Sequence, residues 1–313
     1  MPAPTSDRLL LLDSASLYFR AFYGVPDSLK APDGTVVNAL RGLLDFVATL
    51  VDQHSPAAVV ACWDDDWRPQ WRVDLLPSYK THRLADPAAV AAGEAPAEES
   101  PDLLTPQVPL IAEALGIVAI PVVGAEGAEA DDVIGTLARA WDGPVDVVTG
   151  DRDLFQLVDD DAEVRVLYTA RGVSRADVVD AAWIRAKYGI DPSQYADFAT
   201  MRGDTSDGIP GVRGIGEKGA AALLQAHGDL DAILAAAADE SSALKPRQRA
   251  TLLESADLIE VMRQVVRVRE DAVSPSVVTP RRPLSAEQRE ELARFGTRWG
   301  LGGVVERLVA ALG

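Results

Sequence analysis

Three apolar runs that end in aspartate constrain this chain more than any other feature. LLLLD closes on Asp13, AVVACWD on Asp64 and VVTGD on Asp151. Short continuous apolar runs of this kind read as strands buried on both faces, the habit of parallel sheets covered by helices on either side. The rest of the chain supports that arrangement. A strand over 9–13 precedes helically spaced apolar residues over 36–54, and strands follow over 57–64 and 118–123. Then come a helix over 131–141 and strands over 145–151 and 164–168. Strands alternating with helices predict a mostly parallel, doubly wound sheet. Past about residue 175 the pattern becomes helical, in RQRATLLESADLIEVMRQVVRV and RWGLGGVVERLVAALG. The expected division is an α/β unit over 1–173 and a helical unit over 174–313. The Ala-, Pro- and Glu-rich stretch over 84–106 has little periodicity and is expected to leave the domain as an excursion.

With 313 residues the chain can build one large domain or two modest ones. No apolar stretch approaches the length of a bilayer span, and the N-terminal apolar run is too short for a signal peptide. The single cysteine, Cys62, reads as a small buried strand residue. All of this suits the cytoplasm. A net charge of −18 argues against a nucleic-acid partner, but its distribution matters more than its sum. No Lys or Arg occurs over 84–138, whereas Arg68, Arg72, Lys80 and Arg83 gather in one place and Arg202, Arg213 and Lys218 in another. Those two patches are compatible with DNA binding.

Ligands of doubly wound sheets bind beyond the carboxyl ends of the strands. Asp13 and Asp64 fall there, although a lone Asp at a strand end is commonly only a turn or a helix cap. Glu129, Asp131 and Asp132 open a helix, where the dipole accounts for one or two acids but hardly for three. Asp151 and Asp153 flank Arg152 on a turn, and Asp204 and Asp207 straddle another. Gathered at one end of a sheet, these nine carboxylates would repel one another unless divalent cations held them. Mg²⁺ and Mn²⁺ prefer such oxygen ligands, and paired ions can clamp an in-line displacement at phosphorus. The histidines, His54, His82 and His227, show no zinc spacing, and neither a Walker loop nor a dinucleotide-binding glycine fingerprint is present.

Two further segments point to phosphate. In GVRGIGEKGAAALL, Gly211, Gly214 and Gly216 permit a close-approaching backbone just before a helix, a setting whose N–H groups bind phosphate without reading bases. In WRVDLLPSYKTHR, Arg72, Lys80 and Arg83 with Tyr79 offer a cationic and stacking surface, or else a solvated basic helix.

Taken together, LLLLDSASLYFRAFY, WRVDLLPSYKTHR, EADDVIGTLA, VVTGDRDLFQLV and GDTSDGIPGVRGIGEKGAAALL resemble the 5′-nuclease family, in particular the 5′–3′ exonuclease domain of bacterial DNA polymerase I and its stand-alone relatives. The resemblance covers roughly residues 7–275 and leaves no room after it for a polymerase segment. It implies a PIN-like sheet, a helical arch over about 72–110 and a DNA-gripping helix–three-turn–helix over about 203–227. By resemblance, Asp13, Asp64, Glu129, Asp131, Asp132, Asp151, Asp153, Asp204 and Asp207 hold two or more Mg²⁺ or Mn²⁺ ions. Lys80 and Arg83 steady the scissile phosphate, Arg72 orients within the cleft, and Tyr79 stacks on a terminal base. Gly211, Val212, Gly214, Ile215, Gly216 and Lys218 contact the duplex, with a potassium ion held by carbonyls over 212–215.

The implied activity is metal-dependent 5′–3′ exonuclease and 5′ flap endonuclease cleavage. A monomer is expected to act on DNA 5′ ends, nicks and flaps and on RNA primers paired to DNA, in replication and repair and away from membranes. The rivals are a PIN-type ribonuclease and a non-catalytic DNA-binding scaffold. The chain departs from the family pattern in two places. Position 208 is Gly where the family usually has Asn, so a local turn contact is expected to be lost. The segment after Arg83 lacks cations, so grip on a single-stranded 5′ end is expected to rest on Lys80 and Arg83.

Overall fold

A computed structural model describes residues 7–91 and 97–313 of the chain. Strand β1 (Leu9–Asp13) is buried at every position, with Leu9 and Leu11 in one apolar cluster and Leu10 and Leu12 in another. Alternate side chains of a strand point to opposite faces, so a sheet with two covered faces needs apolar residues at both. Helix α1 (Ser14–Gly24) starts at once, with Asp13 as its N-cap accepting from Ser16 N at 3.1 Å. Helix α2 (Asn38–His54) lacks a side-chain cap of its own. Gln107 supplies it from far along the chain, its Oε1 accepting from Ala39 N at 2.9 Å and Leu40 N at 3.2 Å.

Strand β2 (Ala58–Cys62) is followed by α3 (Gln70–Leu75), the short α4 (Pro87–Ala91) and α5 (Val108–Ile117). Cys62 is fully buried, as its apolar setting predicts. In the region expected to form an arch, the described residues carry only short helical segments. The expected strand over 118–123 shrinks to β3 (Val122–Val123). Helix α5 runs to Ile117, and Ala119 then adopts a left-handed φ of 55°, so Val118 and Ile120 are buried in the connection rather than paired in the sheet.

Helix α6 (Ala130–Ala140), β4 (Val145–Thr149), β5 (Val164–Tyr168) and β6 (Asp177–Val179) complete the α/β unit. The sheet order is β3-β2-β1-β4-β5-β6, all parallel except for β6, which pairs antiparallel with β5. Strand β6 is an edge strand without a counterpart in the sequence reading. It carries the sheet past the boundary expected at residue 173.

Helices α7 (Ala181–Tyr188), α8 (Tyr195–Arg202), α9 (Glu217–His227), α10 (Leu230–Ala238), α11 (Pro246–Glu254) and α12 (Ala256–Val266) share the apolar cluster of Leu9, Leu11 and α6. The last pair, α13 (Ala286–Trp299) and α14 (Gly302–Leu312), crosses to the opposite face and packs with α2 and α5. The helical half is thus divided between the two faces of the sheet. Among the described residues no helix is long and apolar enough to cross a membrane.

Leu308 on α14 is fully buried within the cluster that contains α2. Leu308→Ala should cost about 2–5 kcal/mol, read as a lower urea midpoint at unchanged slope. A loss below about 0.5 kcal/mol would mean that α14 is not part of the folding core.

Candidate active site

The doubly wound order places β1 between β2 and β4, so the chain leaves the sheet on either side of β1 at one end. A cleft of about 390 Å³ opens there. Its lining includes seven acids, Asp13, Asp64, Glu98, Glu129, Asp131, Asp151 and Asp204, against three cations, Lys80, Arg83 and Arg152. Six of those acids are among the nine singled out in the sequence. Asp153 and Asp207 lie beside it in an adjoining crevice that also touches Glu129 and Asp131.

Most of these acids are fixed by local backbone or a neighbour. Asp13 accepts from Thr149 Oγ1 at 2.6 Å, and the same hydroxyl accepts from Asp151 N at 2.8 Å, which ties the ends of β1 and β4 together. Asp64 accepts from Ala130 N at 2.7 Å, an amide at the start of α6 that has no acceptor within the helix. Asp151 accepts from Asp153 N at 2.9 Å. Arg202 bridges Asp153 and Asp204 at 3.4 and 3.5 Å.

The crowding has an electrostatic cost. Burial, reinforced by Asp64 and Asp151, pushes the Asp13 carboxyl up to about 7 against the pull of its hydrogen bonds. Burial raises Asp131 and Asp153 well above the carboxylate range, and Asp151 adds to both. Asp64 is raised by burial too, and Lys80 opposes it. An excess of buried hard-oxygen donors over cations is the donor set a divalent cation requires. Among the described residues no three His, Cys, Asp or Glu side chains stand together closely enough to hold a metal ion in this arrangement.

Three sequence expectations need correction, and one network explains them. Arg72 is only 3 % exposed and grips Asp132 with both terminal nitrogens at 2.7 Å, while Nη1 also donates to Glu129 at 3.0 Å and Nε to Val265 O at 3.2 Å. Asp132, fully buried, further accepts from Glu129 N at 3.1 Å and Arg269 N at 2.9 Å. Its oxygens are therefore committed to holding Arg72 and the start of α6, not to the cleft. Burial alone would raise Asp132, but the Arg72 contacts outweigh it and hold the carboxyl below its ordinary range. Arg72 acts from behind the wall rather than within the cleft. Tyr79 is also buried, with its hydroxyl donating to Glu129 at 2.7 Å, and has no face free for a base.

Lys80 and Arg83 do reach the cleft. Lys80 Nζ forms an ion pair with Glu129, and that charge, with Asp207 and Asp64, overcomes burial to hold the ammonium above its usual pKa. Arg83 pairs with Asp207 at 2.6 Å. Both stand on a segment clamped to the Asp204–Asp207 turn, where Lys80 N donates to Asp207 O at 2.9 Å and Ser78 Oγ to Gly208 O at 2.8 Å. Gly208 has φ 71°, and a Cβ there would lie 2.2 Å from Ser78 O. Glycine at this position thus permits a close backbone contact where a lost one was expected.

Phe19, Trp67, Glu98 and Arg152 are among the lining residues that the sequence reading did not assign to the site. Phe19 sits six residues after Asp13 on α1, a spacing that could have drawn notice. Nothing local marks Glu98.

The glycine-rich segment forms the turn between α8 and α9. Gly203 and Gly211, both at positive φ, let the two backbones cross, and a Cβ on Gly211 would lie 2.6 Å from Arg202 O. Val212 and Ile215 bury their side chains, whereas Gly214, Gly216 and Lys218 are exposed. Any contact that the two apolar residues make with a ligand must come from their backbone.

Comparison with known proteins assigns this architecture. The family description "5′-3′ exonuclease, N-terminal resolvase-like domain" matches residues 8–189, and "5′-3′ exonuclease, C-terminal SAM fold" matches 190–285. The chain is 54 % identical over 305 residues to a 5′-3′ exonuclease of Streptomyces coelicolor, across 97 % of this chain and 99 % of the relative. It is 49 % identical over 311 residues to a 5′-3′ exonuclease of Mycobacterium tuberculosis, across 97 % of each. Its fold is similar to that of a bacteriophage T5 flap endonuclease solved as a pseudo-enzyme–product complex with DNA and metal ions. That match has a TM-score of 0.61 at 18 % identity and covers 97 % of this chain and 99 % of the other. The chain belongs to the 5′–3′ exonuclease family. It is a phosphodiester hydrolase, and its activity is that of a 5′–3′ exonuclease.

Two outcomes test this geometry. Arg72→Gln leaves Asp132 and Glu129 buried without their cation and should cost about 3–5 kcal/mol in denaturant unfolding. A cost under about 1 kcal/mol would mean the network is dispensable. The second is a pH dependence. Folding raises the carboxyl pKa values of Asp13, Asp64, Asp131 and Asp153, so in that range the native state keeps protons the unfolded chain has lost. Through this cleft the stability of chelator-treated protein should fall as pH rises from about 4 to about 7, read as the Tm of wild type less that of Asp13→Asn, and a difference that climbs across that window would contradict it.

Proposed function

We propose that the enzyme is divalent-metal-dependent and removes nucleotides and short flaps from the 5′ ends of DNA at nicks and branched structures. It would act in replication and repair, including the removal of RNA primers, as a cytoplasmic monomer. The observation that carries this reading is the joining of strand-end carboxylates to Lys80 and Arg83 in one cleft. Asp13, Asp64, Glu129, Asp131, Asp151 and Asp204 are the residues to hold two or more Mg²⁺ or Mn²⁺ ions, with Asp153 and Asp207 behind them. Such ions, when bound, lower the pKa of an attacking water and stabilise the departing oxygen.

The chain's own groups supply position and charge. A phosphate entering the cleft competes with Glu129 for Lys80 and with Asp207 for Arg83, and both cations meet the charge that builds on the phosphoryl oxygens. Water adds to phosphorus opposite the 3′ oxygen, the bond to that oxygen breaks, and the products end in a 5′-phosphate and a 3′-hydroxyl. Phe19 takes the stacking role first assigned to Tyr79, since its ring borders the acids. The duplex rests on Gly214, Gly216 and Lys218, with Gly211 buried behind them, and a potassium ion at the carbonyls over 212–215 would add charge for the backbone.

Cleavage of 5′-labelled flap and nicked duplexes tests the reading. Asp151→Ala should lose about a hundredfold or more in rate with Mg²⁺ or Mn²⁺. Equal rates for the two proteins, or no cleavage by the wild type with either metal, would contradict it.

A further inference from the structure

The acidic segment after Arg83 does not stay away from the cleft. Residues 83–85 pair antiparallel with 97–99, with Glu99 N donating to Arg83 O at 2.7 Å, Ala85 N to Ala97 O at 2.9 Å, and Leu84 facing Glu98. This short ladder returns Glu98 to the cleft lining, beside Asp64, Lys80 and Arg83. Its carboxylate lies 4.0 Å from Arg83 Nη1, whereas Asp207 pairs with Nη2. Burial raises the Glu98 carboxyl, Arg83 and Lys80 draw it down, and Asp64 and Glu129 push it up. Glu98 therefore stands where two cations and two anions of the site all act on it.

We propose that Glu98 is a specificity-determining stand-in for a substrate phosphate: it fills the anion seat beside Arg83 in the free enzyme and yields that seat to the incoming 5′ strand. This rests on the DNA-cleaving reading of the cleft. Arg83 has two anionic neighbours of unequal hold. The Asp207 contact is 2.6 Å and belongs to a turn bonded to the backbone of Lys80, whereas the Glu98 contact is 4.0 Å and partly open to solvent. An arriving phosphate displaces the looser partner first, because a phosphodiester oxygen offers the guanidinium fork the same acceptor as a carboxylate. Without it, the Nη1 edge of Arg83, which Asp207 does not occupy, would meet any passing phosphate with no carboxylate to exchange. With it, only a strand already held by duplex contacts exchanges for the carboxylate, so the enzyme favours a 5′ end joined to a duplex over loose single strands.

The test is fluorescence anisotropy of full-length wild type and Glu98→Gln, in chelator, with a 5′-flap duplex, the same duplex without a flap, and an unpaired oligonucleotide. The substitution keeps the shape of the side chain and removes its charge. Glu98→Gln should bind the flap duplex about threefold tighter, with the slope of log Kd on log salt concentration steeper by about one. Its gain on the unpaired strand should be at least as large, so that discrimination between the two narrows. The flapless duplex should change least. Equal or weaker flap binding by Glu98→Gln would overturn the proposal. So would a raised metal requirement in the matching cleavage assay, which would make Glu98 a ligand. If wild type binds the flap duplex but does not cut it, the catalytic reading fails while the Kd ratio still decides the role of Glu98. If wild type does not bind the flap duplex at all, both fall.

Discussion

The carboxylate of Glu129 carries the contacts on which the rest of the site depends. It receives Arg72, the Tyr79 hydroxyl and the Lys80 ammonium, all from one stretch of chain, while its own backbone N–H is held by Asp132. A buried carboxylate surrounded by other carboxylates is stable only if cations stand close enough to offset its desolvation. Arg72 does so from behind and Lys80 from the cleft side. Because Arg72 also bonds Val265 O, and Asp132 bonds Arg269 N, the same network fastens the end of α12 to the start of α6. The acids of the sheet and the helical arm are thus locked in one frame.

That frame gives the two kinds of charge different freedom. Asp13, Asp64 and Asp151 are set by strand ends and helix starts, which cannot shift without disturbing the sheet. Lys80 and Arg83 stand on a turn-rich segment, joined to the rest through the Asp204–Asp207 turn and the close approach at Gly208. Lys80 has a φ of 48°, a left-handed conformation held by the Asp207 contact. Fixed acids facing cations on a separately latched segment form a site in which phosphate can exchange with carboxylate partners while the strand-end acids keep their places.

Much of the site was legible because strand-end position is a local property. Apolar runs ending in Asp identified Asp13, Asp64 and Asp151, and the helix start identified Glu129 and Asp131. The same local reading could not separate Asp132 from its neighbours, since a side chain's direction depends on where α6 packs. One signal was available. Glu129 and Asp132 stand three apart across a helix start, the spacing of a reciprocal cap, and the structure shows that cap. Arg72 and Tyr79 read as a substrate surface because their burial is created by Val265 and Glu129, far away in sequence. Glu98 was hidden for the same reason, since its place depends on a ladder between 83–85 and 97–99. Strand β6 was too short to register, and amphipathicity in α13 and α14 marked helices without saying which face of the sheet they would cover.

The central claim is that the strand-end acids, with Asp132 excluded, gather divalent ions in the cleft that also holds Lys80 and Arg83. Anomalous diffraction from crystals soaked in Mn²⁺ tests it most directly. The account predicts at least two manganese peaks within coordination distance of Asp13, Asp64, Glu129, Asp131, Asp151 or Asp204, with Asp132 still gripping Arg72. Manganese bound by Asp132 in place of Arg72, or no peak at the ends of β1, β2 and β4, would contradict it.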